Sequence, residues 1–266
     1  MKIYPLLKFF YNGLLTGMPL LTYNPFTKNN FMCEFNVKPY STYLNYRLDD
    51  YQAFKLSKLI SDKNDSPEEF KLKKVSILKD EKPSYYLSVN IYNCSLPIIP
   101  EHKSITRLEV NTYVEYNNTI GTLIVDYCSD QLSMDPVNIF KKKSNVWYLN
   151  VKDTVSNLLN GFCVNDNITL FLDMKNKLVD PNLIESKSIE LSDDLIKYSD
   201  KIYYTSGVFD KLYFDSTLIY PNIKIPTLVS HYFNFYNLTF EKPDNFFFFE
   251  DKISFSGSIW NNVFKF

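Results

Sequence analysis

The chain has 266 residues, of which 45% are apolar and 17% aromatic, so it can bury a large core and is not intrinsically disordered. Its net charge of −1 excludes a strong electrostatic attraction to nucleic acid or to an anionic membrane. With six glycines and neither G-x-G-x-x-G nor G-x-x-x-x-G-K-[ST], the sequence also argues against dinucleotide-binding and P-loop folds.

The N-terminal region, residues 1–30, is predicted to be irregular because Pro5, Pro19 and Pro25 prevent a long helix. Pro5 and Lys8 also interrupt the apolar run of a signal peptide, and no small-residue cleavage site follows. No segment approaches the roughly 18 consecutive apolar residues of a membrane helix. We therefore expect a cytoplasmic protein with no membrane or nucleic-acid partner, and secretion is the alternative.

The next elements alternate between extended and helical patterns. Residues 31–46 are predicted to include a strand rich in Tyr, Thr and Val. Asp49 and Asp50 are candidate N-caps of a short amphipathic helix over YQAFKLSKLI. A polar turn over 61–69 leads to FKLKKVSIL, which alternates like a strand, and YYLSVNIYNC predicts another strand.

Residues 107–116, RLEVNTYVEY, alternate polar with apolar side chains. The polar positions are Arg107, Glu109, Asn111, Tyr113 and Glu115. This alternation predicts a strand with one apolar and one polar face, and the polar face could contact water or line the cavity of a barrel. YNNTIG predicts a hairpin turn into the antiparallel partner TLIVDYC.

Residues 129–143 interrupt the strands, and Pro136 there suits a first helical turn. Further strands are predicted over NVWYLNV, NITLFLDM, KIYYTSGVF, KLYFDSTLIY, TLVSHYFNFYNLTF and NFFFFE, with a short helix around SIELSDDLIKY. The whole pattern indicates one α+β domain, mainly antiparallel β, forming a closed or partly closed β-barrel with a few short flanking helices.

The sequence gives little support for a metal site or for catalysis by a histidine. Cys33, Cys94, Cys128 and Cys163 are far apart and form no C-x-x-C, so we expect buried free thiols and neither a metal nor a cofactor. His231, within TLVSHYFNF, is interpreted as a packed or surface histidine, and His102 as a loop residue. No glycines of a nucleophile elbow accompany either histidine.

Lys141, Lys142 and Lys143 follow the apolar residues of PVNIF. Three adjacent lysines are usually a solvated loop, which is one interpretation. In the other, poor solvation and a neighbouring ammonium lower the pKa of one lysine. The resulting neutral amine attacks a ketone to form a Schiff base, which acts as an electron sink.

Several segments in order resemble the acetoacetate decarboxylase family. They are GMPL with the following NPF, YLNYRLDDYQAF (43–54), YNNTIGTLIVDYCSDQLSMDPVNIFKKK (116–143) and IKIPTLVSHYFNFYNLTF (223–240). The resemblance implies an N-terminal extension over 1–16 and a family β-barrel over 17–266, and a related group of uncharacterised barrel proteins shares a strand like LEVNTYV. It also implies a lyase that acts on a carbonyl or carboxylate compound, with a homo-oligomer as a further expectation.

Carried over without gaps, the family's lysine motif places Lys141 on the Schiff-base lysine and Lys142 on the neighbour that lowers its pKa. Asp135 falls on the motif's glutamate as a shortened carboxylate, whereas Phe140 replaces a proline and Ser133 a glycine. The family's pocket glutamate falls near Arg107, with Glu109 two residues further on the same face. The motif is therefore retained in its lysines and changed around them.

Two main hypotheses follow. In the first, the protein is a divergent decarboxylase-like enzyme: Lys141 forms the imine and Lys142 lowers its pKa, Glu109 and Asp135 move protons or orient the lysine, and Arg107, Asn111 and Tyr113 bind substrate. In the second, the barrel is a non-enzymatic ligand-binding or interaction module. A third hypothesis, a secreted glycoprotein, has its motivation in the N-x-[ST] sequences at Asn93, Asn117, Asn167 and Asn237.

Overall fold

The structure is a computed structural model, and it describes most of the chain in thirteen ranges. The described residues are 32–38, 41–63, 70–95, 105–116, 118–130, 145–152, 157–176, 190–198, 201–204, 213–217, 223–224, 227–249 and 253–258.

The described elements are mostly strands. The helices are α1 (Asp50–Lys63) and α2 (Asp193–Tyr198), and none of the described helices is long and apolar enough to cross a membrane. The strands are β1 (Met32–Val37), β2 (Ser41–Arg47), β3 (Lys71–Leu72), β4 (Tyr86–Ser95), β5 (Ile105–Tyr116), β6 (Thr119–Ser129), β7 (Asn145–Lys152), β8 (Asn157–Val164), β9 (Ile168–Asn176), β10 (Lys201–Tyr204), β11 (Tyr213–Thr217), β12 (Ile223–Lys224), β13 (Thr227–Phe235), β14 (Leu238–Phe240), β15 (Asn245–Phe249) and β16 (Ile253–Ser258). The predicted α+β class with mainly antiparallel strands is confirmed.

The described strands form two sheets. The large sheet has 11 strands in the order β12-β15-β2-β4-β1-β16-β11-β10-β6-β5-β3, with an additional pairing of β4 with β5. The small sheet has five strands in the order β14-β13-β9-β8-β7. Among these pairings only β10 beside β6 is parallel. Strand β4 uses the same residues to pair with β2 and with β5, so these partners lie on its two opposite edges.

The predicted hairpin of β5 and β6 is confirmed. The two strands pair antiparallel from Arg107 opposite Ser129 to Tyr116 opposite Thr119, and the turn residue Asn118 has a φ of 60°. Asparagine tolerates this left-handed conformation better than most residues. The register shifts by one residue between Val110 and Asn111, which marks a bulge in the middle of the hairpin.

Helix α1 begins with a capping box, as the paired aspartates indicated. The Asp49 carboxylate accepts a hydrogen bond from the Gln52 backbone N–H at 2.7 Å, and the Gln52 side chain accepts one from the Asp49 N–H at 3.1 Å. Both donors would otherwise lack a partner at the helix start. Ala53, Leu56 and Ile60 form the buried stripe of the helix.

The predicted strand over FKLKKVSIL is largely wrong, because only Lys71–Leu72 is a strand. The Glu81 carboxylate accepts hydrogen bonds from the backbone N–H groups of Ile77 at 3.3 Å and Leu78 at 3.2 Å. These donors are consequently taken up by a local turn rather than by a strand ladder. Isolated bridges still tie this segment to its neighbours, including one between Leu78 and Leu191.

The segment TLVSHYFNFYNLTF is a hairpin and not the single strand that its apolar character predicted. Strands β13 and β14 are joined by Tyr236 and Asn237, whose φ values are 48° and 64°. Two adjacent residues with positive φ are the signature of a type I′ turn. Strands β8 and β16 were not predicted from the sequence.

The buried residues form two clusters. The larger one joins the large sheet to the small sheet and to α1, and includes Leu44, Leu87, Leu108, Leu170 and Phe233. The smaller one includes Tyr92, Tyr113 and Phe247 of the large sheet, with Ile77 and partly buried Leu191 packed against them. Because side chains alternate along each strand, the two clusters occupy opposite faces of β2, β4 and β5.

Candidate functional site

The polar face of β5 is buried against protein. Arg107, Asn111 and Tyr113 are 5%, 5% and 6% exposed, and the side chain of Glu109 is 12% exposed. The interpretation in which this face contacts water is therefore wrong for these four residues.

Strand register brings further polar side chains onto this face. The cross-strand pairs between β4 and β5 are Tyr92 with Arg107, Asn90 with Glu109, and Ser88 with Asn111. The next strand, β2, adds Tyr43 beside Asn90 and Asn45 beside Ser88. Residues that face each other across adjacent strands have side chains within contact distance, so these rows form one continuous polar surface.

Arg107 is the centre of what we call the Arg107 cluster, defined as Arg107, Glu109, Tyr92 and Tyr127. The Arg107 Nε–H donates to Glu109 Oε1 at 2.6 Å, and the Tyr92 hydroxyl donates to the same oxygen at 2.7 Å. The Arg107 guanidinium carbon lies 4.2 Å from the centroid of the Tyr127 ring. The cluster thus combines a buried ion pair, a neutral donor and a cation–π contact.

The electrostatics of the site keep its hydroxyl and thiol groups protonated. Burial raises the pKa of Tyr92 well above its ordinary value, and the Glu109 carboxylate raises it further. Burial also raises the pKa of the Cys94 thiol to about 12, against the opposing effect of Arg107. At neutral pH these groups are hydrogen-bond donors, and Cys94 is not a thiolate nucleophile.

The face is covered by the segment between β3 and β4 and by the region around α2. Val75, Ile77 and Leu191 belong to the smaller core cluster or pack against it. The Ser192 side chain bonds the backbone carbonyl of Ser76, and its oxygen accepts a hydrogen bond from the Leu195 N–H at 3.0 Å, which caps α2. Tyr92 is the member of the Arg107 cluster that belongs to this core cluster.

Of the predicted site residues, the structure brings Arg107, Glu109, Asn111 and Tyr113 together on one strand face. Asp135, Lys141 and Lys142 lie outside the described residues, as does the predicted helical turn at Pro136.

Burial raises the pKa of Tyr113 to about 12, and a hydrogen bond with Ser88 partly opposes this increase. Tyr113 is therefore a neutral phenol at this position.

The predicted site residues did not include Tyr92, Asn90 or Tyr43. Their strands carried the same signal as β5, because YLSVNIYNC alternates apolar residues with Ser88, Asn90 and Tyr92. Comparing the polar positions of β4 with those of β5 would have found them. Matching the two strands residue by residue requires their pairing register, which alternation alone does not supply.

A separate surface groove of about 700 Å³ lies between α1 and the edge strand β3. It is lined by Asp50, Ala53, Phe54, Ser57, Phe70, Lys71, Leu72 and Tyr85, and includes no predicted site residue. Within the described ranges, no group of three or more His, Cys, Asp or Glu side chains is arranged to hold a metal ion.

Comparisons with known proteins gave structural matches only. No protein-family model matches the sequence, and no curated protein matches it. The backbone is similar to an acetoacetate decarboxylase-like enzyme from Sphingomonas wittichii RW1, with 8% identity over 86% of this chain and 92% of that one, and a TM-score of 0.45. It is similar to the acetoacetate decarboxylase of Legionella pneumophila, with 11% identity, coverage of 92% and 93%, and a TM-score of 0.46.

A third similar structure is the enduracididine biosynthesis enzyme MppR with HEPES buffer bound. The identity is 7%, the match covers 90% of this chain and 92% of that one, and the TM-score is 0.46.

Proposed function

We propose that this protein is a divergent acetoacetate decarboxylase-like lyase that forms a Schiff base between Lys141 and a β-keto acid. The lysine amine adds to the ketone carbon and water leaves, giving a protonated imine. The bond to the carboxylate carbon then breaks, CO2 departs, and the electron pair passes into the imine to give an enamine. Protonation of the enamine at carbon and hydrolysis return the free lysine and a ketone.

The observation that carries the proposal is the buried Arg107 cluster at the end of β6. Strand β6 ends at Ser129, directly opposite Arg107, and the lysine segment follows it in the chain. After that segment, the Tyr148 backbone carbonyl in β7 accepts a hydrogen bond from Asn93 Nδ2 at 3.2 Å, on the face of β4 opposite to Tyr92. The support for a lysine close to the cluster is therefore the position at which β6 ends.

In this proposal Arg107 binds the substrate carboxylate, and Glu109 holds the Arg107 side chain in place between turnovers. The substrate carboxylate would compete with Glu109 for the guanidinium, since both are anionic acceptors of the same donors. Glu109 released in this way can accept a proton or orient the lysine, together with Asp135. Lys142 supplies the neighbouring positive charge that lowers the pKa of Lys141.

We further propose that the large sheet closes into a barrel around this face. The support is a cycle of pairings that leaves β4 through β5, β6, β10, β11, β16 and β1 and returns to β4. Such a barrel would enclose the polar face and exclude water from the imine.

Borohydride trapping tests the proposal. Incubation with acetoacetate and sodium borohydride should reduce the imine to a stable secondary amine, detected by peptide mass spectrometry on Lys141. Lys141→Arg should abolish the adduct, and Lys142→Gln should slow its formation at neutral pH because the Lys141 amine, without a neighbouring positive charge, is then more often protonated. Lys143→Gln is the matched control and should trap normally. Absence of an adduct on Lys141 in the unsubstituted protein would refute the imine mechanism.

A second candidate function, a non-enzymatic ligand-binding module, is favoured by one specific observation. Arg107 is already paired with Glu109 and stacked on Tyr127, and the Tyr92 hydroxyl is already committed to Glu109. A cluster whose members satisfy each other can serve as structure alone. If trapping fails, calorimetric titration with acetoacetate separates the two functions: binding without an adduct supports the module.

A further inference from the structure

The side-chain oxygen of Asn111 is buried and accepts no hydrogen bond. The residue is 5% exposed and lies on the polar face of β5, two residues from Glu109. Nearly all buried polar atoms in folded proteins have a partner, because an unpaired acceptor forfeits its hydration without replacement. An orphaned acceptor beside a candidate site therefore indicates a partner that comes from outside the chain.

The hydrogen bonds of the adjoining row run away from Asn111. Its cross-strand neighbour Ser88 donates its hydroxyl proton to Asn45 Oδ1 at 2.6 Å, and Asn45 Nδ2 donates in turn to Asn245 Oδ1 at 2.7 Å. A serine hydroxyl has a single proton, so Ser88 has none left for Asn111. On the other side, Asn111 pairs with the apolar Ile124 of β6.

A bulge in the β5–β6 hairpin lies at the same level. Val110 pairs with Asp126 and Asn111 pairs with Ile124, so the extra residue is Val125 of β6. Bulges are frequent next to active sites. Along the face of β5, Glu109 is an acceptor and cannot satisfy a second acceptor, and Tyr113 hydrogen-bonds Ser88.

We propose that Asn111 Oδ1 binds a hydroxyl group of the substrate, so that the preferred substrate is a hydroxylated β-keto acid. This inference rests on the proposed function and names its substrate class. A hydroxyl fits better than an ammonium group, because Glu109, the carboxylate two residues from Asn111 on the same face, is already paired with Arg107. Asn111 lies two residues from Glu109 on the same face of β5, so in this proposal the hydroxyl binds next to the substrate carboxylate.

The stability of the protein without ligand provides the first test. Asn111→Leu replaces the orphaned amide with an apolar side chain of similar size, so the urea midpoint should stay unchanged or rise. Ser88→Ala is the matched control on the opposite strand, and it should lower the midpoint because it leaves Asn45 without its donor. A lower midpoint for Asn111→Leu, comparable with that of Ser88→Ala, would mean that the amide is satisfied structurally and would overturn the inference.

The second test compares acetoacetate with 4-hydroxyacetoacetate, which differ by one hydroxyl. The hydroxylated acid should bind or trap roughly fivefold better, the effect of one hydrogen bond, and Asn111→Leu should remove the preference. Equal behaviour of the two acids in the unsubstituted protein would overturn the inference and leave the proposed function standing. If Lys141 traps neither acid, the proposed function fails, and calorimetric binding decides the inference by the same comparison.

Discussion

Arg107 and Glu109 are both buried, and their side chains form an ion pair. Their side chains are 6% and 12% exposed, and Tyr92 completes the hydrogen bonding of the carboxylate. Removing one member of such a pair leaves an uncompensated charge, whereas removing both leaves none. The loss of stability in a single variant therefore includes the penalty of leaving one charge buried without its partner. The loss in the double variant gives the net contribution of the ion pair.

We expect Arg107→Met to lower the free energy of unfolding by roughly 3 kcal/mol, and Glu109→Leu by a similar amount. The double variant should lose much less than the sum, as measured by urea denaturation of all four proteins. Lys79→Met is the matched control, because Lys79 pairs with Glu190 at the surface with side chains 61% and 56% exposed. It should give no resolvable change. Additive losses in the double variant would contradict a coupled pair.

At the residue scale, His231 makes the free energy of unfolding depend on pH. Its Nε2 bonds the Tyr46 hydroxyl and its Nδ1 bonds the Glu241 carbonyl at 3.2 Å. Burial lowers the pKa of His231 from its ordinary value of 6.5, and the Glu241 carbonyl partly offsets this. The unfolded chain therefore binds the proton more readily. The contribution to stability is complete above the ordinary pKa and is lost as the pH falls below it.

The expected outcome is a free energy of unfolding that rises with pH through the window just below 6.5. His231→Gln removes the titrating group and should flatten that part of the profile. Urea denaturation at a series of pH values measures it. An unchanged slope in the variant would show that other groups control the dependence.

At the scale of elements, the start of α1 is set by a reciprocal pair of hydrogen bonds between Asp49 and Gln52. Asp49→Ala removes the cap and should lower the free energy of unfolding by about 1 kcal/mol. Lys58→Ala, an exposed position on the same helix, is the control and should have little effect. Equal losses in the two variants, measured by thermal and urea unfolding, would argue against a role of the cap.

The elements also show how far the sequence could be interpreted. Alternation was enough to predict β5 and its hairpin with β6, and the aspartates were enough to predict α1. The β13–β14 hairpin was missed because its turn is Tyr236–Asn237 and not the Asn-Gly that usually marks such turns. Tyr236 is held in this conformation from outside the hairpin, since its hydroxyl donates to Asp126 at 2.8 Å and its ring contacts the Lys63 ammonium.

At the scale of the whole molecule, the large sheet depends on contacts between the two ends of the chain. Strand β1 pairs with β16 from Met32 opposite Ser258 to Val37 opposite Ile253, and β16 also pairs with β11. No local pattern predicts a pairing across such a distance in sequence. The inward orientation of Arg107 was correspondingly a choice between alternatives until the register of the strands was available.

We expect a chain that ends after Phe249 to lose the cooperative unfolding of the large sheet, because β1 and β11 both lose β16. Two strand edges are then unpaired and open to aggregation or proteolysis. Limited proteolysis and urea denaturation measure the change. A chain that ends after Ser258 is the matched control, since it retains every described pairing of β16. Similar behaviour of the two truncated proteins would contradict this dependence.

The alkylation rates of the buried cysteines report local opening of the structure. Cys94, Cys128 and Cys163 are all buried thiols, which confirms the prediction of burial for these three residues. Alkylation requires a solvent-exposed thiolate, so a thiol buried in this way reacts only when its surroundings open. Cys94 lies two residues from Tyr92 on β4, and Cys163 lies in the small sheet, so their separate alkylation rates report the opening of two different regions in one experiment.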